Sequence, residues 1–277
     1  MDTVAANGTG GDVTAKIAGV QALLRGLTIL DVLADSPDGL ASLADIAART
    51  GLSPSTAHRL LSTLVERGYA GREPGSKGYV IGHRVVHFST SVRRRTSDLR
   101  RLVRSHLEAI TAETGETSNL VVLDGKNVVY IDQVEGTHAL RMVPGIGSIF
   151  PAYTSASAKA ILAYQVDDAQ LDAVFTAEPR IKLAAHTLAD RRDFVAALTA
   201  VVKHGYAVEE SELAEGVSCI AAPIRGRNGV ALGAISVPGP TQRVLEPAPE
   251  RLGVLLKKHA LHVSQALGFR QLSCAAG

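Results

Sequence analysis

The sequence predicts an α+β fold in two parts, helical at the front and mixed helix and strand behind. Three observations carry this reading. Apolar residues recur at three- and four-residue steps between Ile17 and Val65, in runs separated by short polar gaps. From Ser118 onward, short stretches rich in Val, Ile and Leu and bounded by turn residues alternate with helical stretches. The 277 residues, 46% of them hydrophobic, suffice for two cores at about 150 residues per domain.

Residues 1–15 are rich in Gly, Thr, Asn and Ala, lack apolar periodicity, and read as a disordered tail. From Ile17, the residues Val20, Leu23, Leu24, Leu27, Leu30 and Leu33 mark one face of a helix that stops near Ser36-Pro37. Ser42 is expected to cap a second helix reaching Thr50, with Leu43, Ile46 and Ala47 facing inward. Gly51 ends it in the left-handed conformation, and Ser53-Pro54-Ser55 starts a third helix running to the region of Arg67. Short helix, tight turn and longer helix make a helix-turn-helix. The third helix buries Ala57, Leu60, Leu61, Leu64 and Val65, which leaves Ser55, Thr56, His58, Arg59 and Ser62 outside. A helix that enters the major groove needs such donors, acceptors and a cation, although an ordinary amphipathic helix would present the same face to water. The next residues favour the groove. Gly68-Tyr69-Ala70 and Tyr79-Val80-Ile81-Gly82 read as two short strands around a glycine-rich basic tip, a wing that lays Arg72 and Lys77 along a sugar-phosphate backbone.

Charge is distributed in the same sense. The chain carries a net charge of only +2, yet Lys16 to Arg95 holds eleven basic against six acidic side chains, and the remainder is close to neutral. A polyanion-binding module joined to a neutral domain gives this pattern, as does a solvated basic face.

The runs Arg25-Gly-Leu-Thr-Ile-Leu, Ser42-Leu-Ala-Asp-Ile-Ala, Thr50-Gly-Leu-Ser-Pro-Ser-Thr-Ala-His-Arg-Leu-Leu-Ser-Thr-Leu and Arg67-Gly-Tyr resemble the DNA-binding domain of the IclR family of bacterial regulators. The resemblance implies a winged helix-turn-helix with Ser55, Thr56 and His58 near bases and Arg59, Arg25 and the wing near phosphates. Ser53 and Ser62 complete the expected DNA-facing set, with Arg72 and Lys77 on the wing.

His83 to Arg95 reads as a linker helix, and Asp98 to Thr114 as another, with Leu99, Leu102, Val103, Leu107 and Ile110 on one face. The Arg93-Arg94-Arg95 run between them suits either DNA or a solvated patch. Strands are expected over Ser118 to Leu123 and Val128 to Val134 around a turn at Asp124 to Asn127, and again over Tyr206 to Glu209, Ser218 to Ile224 and Val230 to Val237. Helices are expected over Ala156 to Tyr164, Leu188 to His204 and Glu250 to Phe269. The resulting division is a tail (1–15), a DNA-binding domain (16–82), a linker helix (83–97), an effector-binding domain (98–270) and a second tail (271–277).

Further runs extend the IclR resemblance through the rear of the chain: Gly115-Glu-Thr-Ser-Asn-Leu, Ala156-Ser-Ala-Lys-Ala-Ile-Leu-Ala, Gly205-Tyr-Ala-Val-Glu-Glu-Ser-Glu, Gly216-Val-Ser-Cys-Ile-Ala-Ala-Pro-Ile and Gly233-Ala-Ile-Ser-Val-Pro-Gly-Pro. It implies a GAF-like sensor with an antiparallel sheet, and an effector site at Ala156, Ser157, Glu209, Cys219 and Ser236 with Met142 or Leu140 on the opposite wall. The start of a helix at Ala156 favours a carboxylate, so a small organic or aromatic acid or a derivative is the expected ligand. Two departures stand out: Ala158 replaces the family's usual glycine, and Pro238 replaces a frequent second strand hydroxyl. Equally, Cys219 reads as a buried small hydrophobe and Ser236 as an ordinary strand hydroxyl.

The expected function is a repressor whose operator affinity a small molecule controls, with near-palindromic double-stranded DNA as partner and a homodimer or dimer of dimers as the working form. The alternatives are a DNA-binding oligomer without ligand control and an enzyme built on Cys219. No phosphate loop, dinucleotide fingerprint or nucleophile motif supports an enzyme, and no cofactor or catalytic residue is expected. His83 and His87, and His259 and His262, sit at helical spacings, but without a metalloprotease pattern they read as surface histidines, so no metal is expected. Two cysteines, the lack of a secretory pattern near Met1 and the absence of any apolar run of about 20 residues fit a cytoplasmic protein with no membrane partner.

Overall fold

The computed structural model describes residues 20–165, 168–176, 182–246 and 248–270, the side chains of 91–96, 168, 170 and 176 excepted. The expected tails and the Arg93-Arg94-Arg95 side chains therefore lie outside the described residues. Two compact units divide between Arg95 and Thr96.

The first unit contains α1 (Gln21–Ala34), α2 (Leu43–Thr50), α3 (Pro54–Glu66) and the antiparallel strands β1 (Ala70–Arg72) and β2 (Tyr79–Ile81). Local chemistry sets the boundaries. Ser42 and Asp45 form a reciprocal capping box at the start of α2, and Gly51 closes the helix at φ 66°. Ser53 then caps α3 with Pro54 in its first turn. Ile29, Leu33, Ile46 and Leu61 form the core with Tyr79 of the wing. In α1 the expectation of one apolar face is corrected. Ile29, Val32 and Leu33 are buried, whereas Val20, Leu23, Leu24 and Leu27 form a separate exposed stripe. The helix carries two apolar stripes, and this unit covers only one.

Helix α4 spans Arg84–Thr114, 31 residues, in place of the two helices expected on either side of Arg95. No Gly or Pro occurs in the stretch, so nothing stops the hydrogen-bond ladder before Gly115 at φ 71°.

The second unit is built on an antiparallel sheet in the order β5-β4-β3-β8-β7-β6. Its elements in chain order are β3 (Ser118–Asp124), β4 (Asn127–Val134), β5 (Ile149–Pro151), α5 (Ala156–Leu162), α6 (Asp168–Thr176), α7 (Arg191–His204), β6 (Ala207–Glu210), β7 (Val217–Arg225), β8 (Ala231–Pro240), α8 (Thr241–Leu245) and α9 (Pro249–Ala266). Strand alternation gives the sheet two buried faces. Leu120, Ile220, Ile224, Ile235 and Val237 pack against Val103, Leu107 and Ile110 of α4 and Leu256, Ala260 and Val263 of α9. Val121, Tyr130, Cys219, Ala221 and Ala234 face α5 and α7 on the other side. Pro238 is tolerated because β8 pairs with β3 only as far as Ser236, so its missing N–H interrupts no ladder there.

Three expected helix boundaries shift, and the last strand runs on to Pro240 rather than ending at Val237. Helix α5 ends at Leu162 rather than Tyr164. Helix α7 starts at Arg191 because Asp190 supplies its cap, and α9 stops at Ala266 before Gly268 at φ 87°. The short elements β5, α6 and α8 were not anticipated.

Candidate functional site

The outer face of α3 is polar and wet. Ser55, His58, Arg59 and Ser62 are exposed and Thr56 is half-buried. Ser53 is chiefly a cap: its hydroxyl oxygen accepts from the Thr56 N–H at 3.3 Å while its O–H donates to Thr56 Oγ1 at 2.9 Å. Ser62 donates to the His58 carbonyl at 2.9 Å, which leaves its oxygen lone pairs outward as acceptors. On the wing, Lys77 is exposed at the tip. Arg72 is held rather than free: its guanidinium donates to the Tyr79 hydroxyl at 2.9 Å and lies 4.9 Å from the ring centroid. Arg25 is half-buried on α1. The recognition helix and wing thus offer hydroxyls, an imidazole, a guanidinium and an ammonium to a polyanion, with little reorganisation needed.

The sheet face beneath α5 is polar and dry. Asn119 pairs with Ser236, Cys219 with Pro238 and Glu209 with Cys219 across β3, β8, β7 and β6, which sets these side chains in adjoining rows on one face. Ala156 packs in the same cluster as Cys219, and Ser157 beside it is buried. The structure therefore brings together five of the seven residues expected at an effector. Leu140 is not among them. It is 63% exposed, and its contribution is its carbonyl, which accepts from Arg243 Nη2 at 2.7 Å. Arg243 in turn forks onto buried Glu116 at 2.5 and 3.2 Å. Met142 lies half-buried in the same loop.

Several groups between α5 and this sheet face are buried without satisfaction. Asn119 Nδ2, Ser157 Oγ and Ser236 Oγ make no hydrogen bond of ordinary geometry, although Ser236 lies near enough to the Cys219 thiol to act on it. Gln133 donates to Asn119 Oδ1 at 2.8 Å, which fixes the amide and aims its free N–H₂. Buried polar atoms left unpaired in this way are costly unless another molecule completes them.

Charge surrounds the dry face. Lys159, 1% exposed, donates to the Val208 carbonyl at 2.9 Å and forms an ion pair with Glu212. Glu209 accepts from the Glu212 and Leu213 N–H groups at 2.5 and 3.2 Å. Burial nevertheless pushes its carboxyl up to about 7, against those two hydrogen bonds. Burial also pushes up the Cys219 thiol, with Glu209 adding to the effect, which is the opposite of what a nucleophilic thiolate requires. Sequence reasoning did not assign Asn119, Gln133, Lys159 and Glu212, whose partners lie 14 and 53 residues away for the pairs Asn119–Gln133 and Lys159–Glu212.

Among the described residues, no helix is long and apolar enough to cross a membrane. The IclR helix-turn-helix domain family matches residues 22–74, and the family described as bacterial transcriptional regulator IclR, C-terminal, matches residues 93–265. The transcriptional repressor IclR of Escherichia coli (strain K12) is 34% identical over 259 residues, covering 92% of this chain and 93% of the relative. The crystal structure of the Thermotoga maritima IclR superposes with a TM-score of 0.70 at 32% identity, covering 89% of this chain and 98% of that one. An IclR homolog complexed with 4-hydroxybenzoate, from Microbacterium hydrocarbonoxydans, has the same fold at a TM-score of 0.71 and 23% identity, covering 89% and 98%. With both halves matched and a relative of this identity aligned along nearly its whole length, the chain belongs to the IclR family of bacterial transcriptional regulators.

Proposed function

We propose that this regulator is a cytoplasmic repressor whose grip on a near-palindromic operator is set by a small organic or aromatic acid held beneath α5. Residues 16–82 serve as the DNA-binding part, 83–97 as the linker and 98–270 as the effector-binding part. The observation that carries the effector half is the set of unsatisfied donors at Asn119 and Ser236 of the sheet and Ser157 of α5, all buried, with Glu212 Oε2 the unpaired acceptor among the charged groups around them. Three donors suit the oxygens of a carboxylate or carbonyl, and Glu209 and Glu212 disfavour a second anionic group on the same molecule. The 4-hydroxybenzoate of the Microbacterium protein, an aromatic acid with one carboxylate, is of this class. Ala158 and Pro238 trim the pocket's polar reach, which favours a ligand with an apolar body.

The DNA half uses Ser55, Thr56 and His58 toward bases and Arg59, Arg25, Arg72 and Lys77 toward phosphates, with Ser53 and Ser62 supporting them. The exposed Val20, Leu23, Leu24 and Leu27 stripe of α1 supports a homodimer, because residues spaced three and four apart form one helix face and a second copy would cover it symmetrically. Two recognition helices related in this way read half-sites about 10 bp apart or a multiple of it.

Selection of bound duplexes from a random DNA library tests both halves. A two-fold motif is expected, and Arg59→Ala should weaken binding about equally across sequences and reduce the salt slope by about 1. The same duplex then reports the effector: 4-hydroxybenzoate and other small acids are expected to shift wild-type affinity. No enriched motif would overturn the DNA reading, and a DNA affinity indifferent to every acid tried would favour the oligomer without ligand control.

A further inference from the structure

We propose that His106 of α4 with His259 and His262 of α9 forms a transition-metal site of the zinc class, on the sheet face opposite the effector pocket. The pair at its centre is already formed. His106 Nδ1 and His259 Nδ1 stand 2.9 Å apart, with ring centroids 5.1 Å apart and planes at 78°. Two imidazole nitrogens at this distance share one proton. A metal ion bound at about 2.0–2.1 Å from each nitrogen in tetrahedral geometry takes that proton's place with only a slight widening of the gap. The ring that donated changes tautomer, its proton moving through solvent to Nε2, so two neutral ligands face the ion and the net charge of the pair is unaltered.

Packing fixes the two ligands in place. Their helices are held by Val103, Leu107 and Ile110 of α4 against Leu256, Ala260 and Val263 of α9 beneath them. His262 follows His259 by three residues on the same helix, and its ring centroid lies 6.1 Å from that of His106. Among the described residues no set of three is already closed around one point. The third ligand comes from rotation of the His262 side chain, which is exposed and free of the core. Both rings are half-buried between α4 and α9, and His106 faces the rings of His259 and His262 together. Lys258 opposes a cation nearby, and Glu113 of α4 favours one. Imidazole donors select zinc, copper, nickel or cobalt over calcium or magnesium.

Sequence spacing alone showed only His259 and His262; the fold adds His106, 153 residues away from His259. A metal at this point would clamp α4 to α9.

The test uses the full chain without a polyhistidine tag. Titration with Co²⁺ is expected to give a saturable visible band at one equivalent per chain, which Zn²⁺ displaces, and Zn²⁺ should raise the Tm. His106→Asn with His259→Asn should abolish both, His262→Ala should weaken binding by about tenfold or more, and His204→Ala should change neither. Should the double variant fail to fold, imidazole NMR of the wild type decides: Zn²⁺ must perturb His106 and His259 first. Absence of saturable binding by the wild type, or binding that survives in the folded double variant or perturbs other histidines first, would overturn the site.

Discussion

The two polar surfaces of this regulator share serine hydroxyls and charged side chains but hold them under opposite solvation. On α3, Ser55, Ser62, His58 and Arg59 stand in water, where unused hydrogen-bonding capacity costs nothing. Ser157 and Lys159 of α5, and Asn119, Ser236 and Glu209 of the sheet beneath it, are buried. There every group left unpaired destabilises the folded chain until something binds it. The first surface is therefore maintained without strain and recognises by geometry and charge. The second is a stored cost, and a ligand that completes it gains affinity from the relief. Substitutions should separate the two surfaces: changes on α3 alter DNA binding at constant stability, whereas changes in the pocket alter stability itself.

The largest effect is expected at Lys159. Replacing it with Met leaves Glu212 buried without its cation, and removing one member of a buried pair typically costs about 3–5 kcal/mol. Denaturant unfolding followed by circular dichroism should register this, while Arg59→Ala stays within about 0.5 kcal/mol of wild type. The double change Lys159→Met with Glu212→Leu should recover most of the loss, since two apolar groups no longer carry an unpaired charge. A Lys159→Met variant as stable as wild type would erase the distinction between the two surfaces.

The wet surface was legible in the sequence and most of the dry one was not, for a physical reason. The α2 capping box, the Gly51 turn and the Ser53-Pro54 start are local signals, each written within four residues, and so the helix-turn-helix could be read directly. The resemblance to the family supplied Ala156, Ser157, Glu209, Cys219 and Ser236. Residue pattern alone could not show that Gln133 orients Asn119 or that Lys159 meets Glu212, because sheet register and helix packing create those contacts. Periodicity likewise marked a single apolar face on α1, because spacing alone does not reveal that the helix carries a second stripe or which of the two its own unit covers. The exposure of Leu140 was beyond sequence pattern for a similar reason, since a loop's course decides whether an apolar side chain is buried or meets water.

Next in size is the pH response of Glu209. Its carboxyl is raised from 4.5 to about 7 in the folded chain, so the folded state binds a proton more tightly than the unfolded one. The stability this contributes is fully present below pH 4.5 and is lost as pH rises through about 7. Wild type should lose up to about 3 kcal/mol of unfolding free energy from this group across that window, and Glu209→Gln should flatten the curve. Binding of an anionic effector should weaken over the same window in wild type and less so in Glu209→Gln. A pH profile that the substitution leaves unchanged would place the burden on other groups.

The smallest effect is the most discriminating. Ser236→Ala removes a hydroxyl that is 0% exposed and lacks a hydrogen bond of ordinary geometry. Because an unpaired buried hydroxyl costs about 1–3 kcal/mol, its loss should leave the free protein as stable as wild type or more stable by about 1 kcal/mol. The shift in Tm produced by an effector acid should shrink in the same variant, because a donor has gone. Ser55→Ala makes the same chemical change in water and should lower DNA affinity while leaving Tm unaltered. A clear loss of stability in Ser236→Ala would mean that the Cys219 thiol already satisfies this hydroxyl. The donors facing a ligand would then reduce to Asn119 and Ser157, which favours a neutral carbonyl compound over a carboxylate.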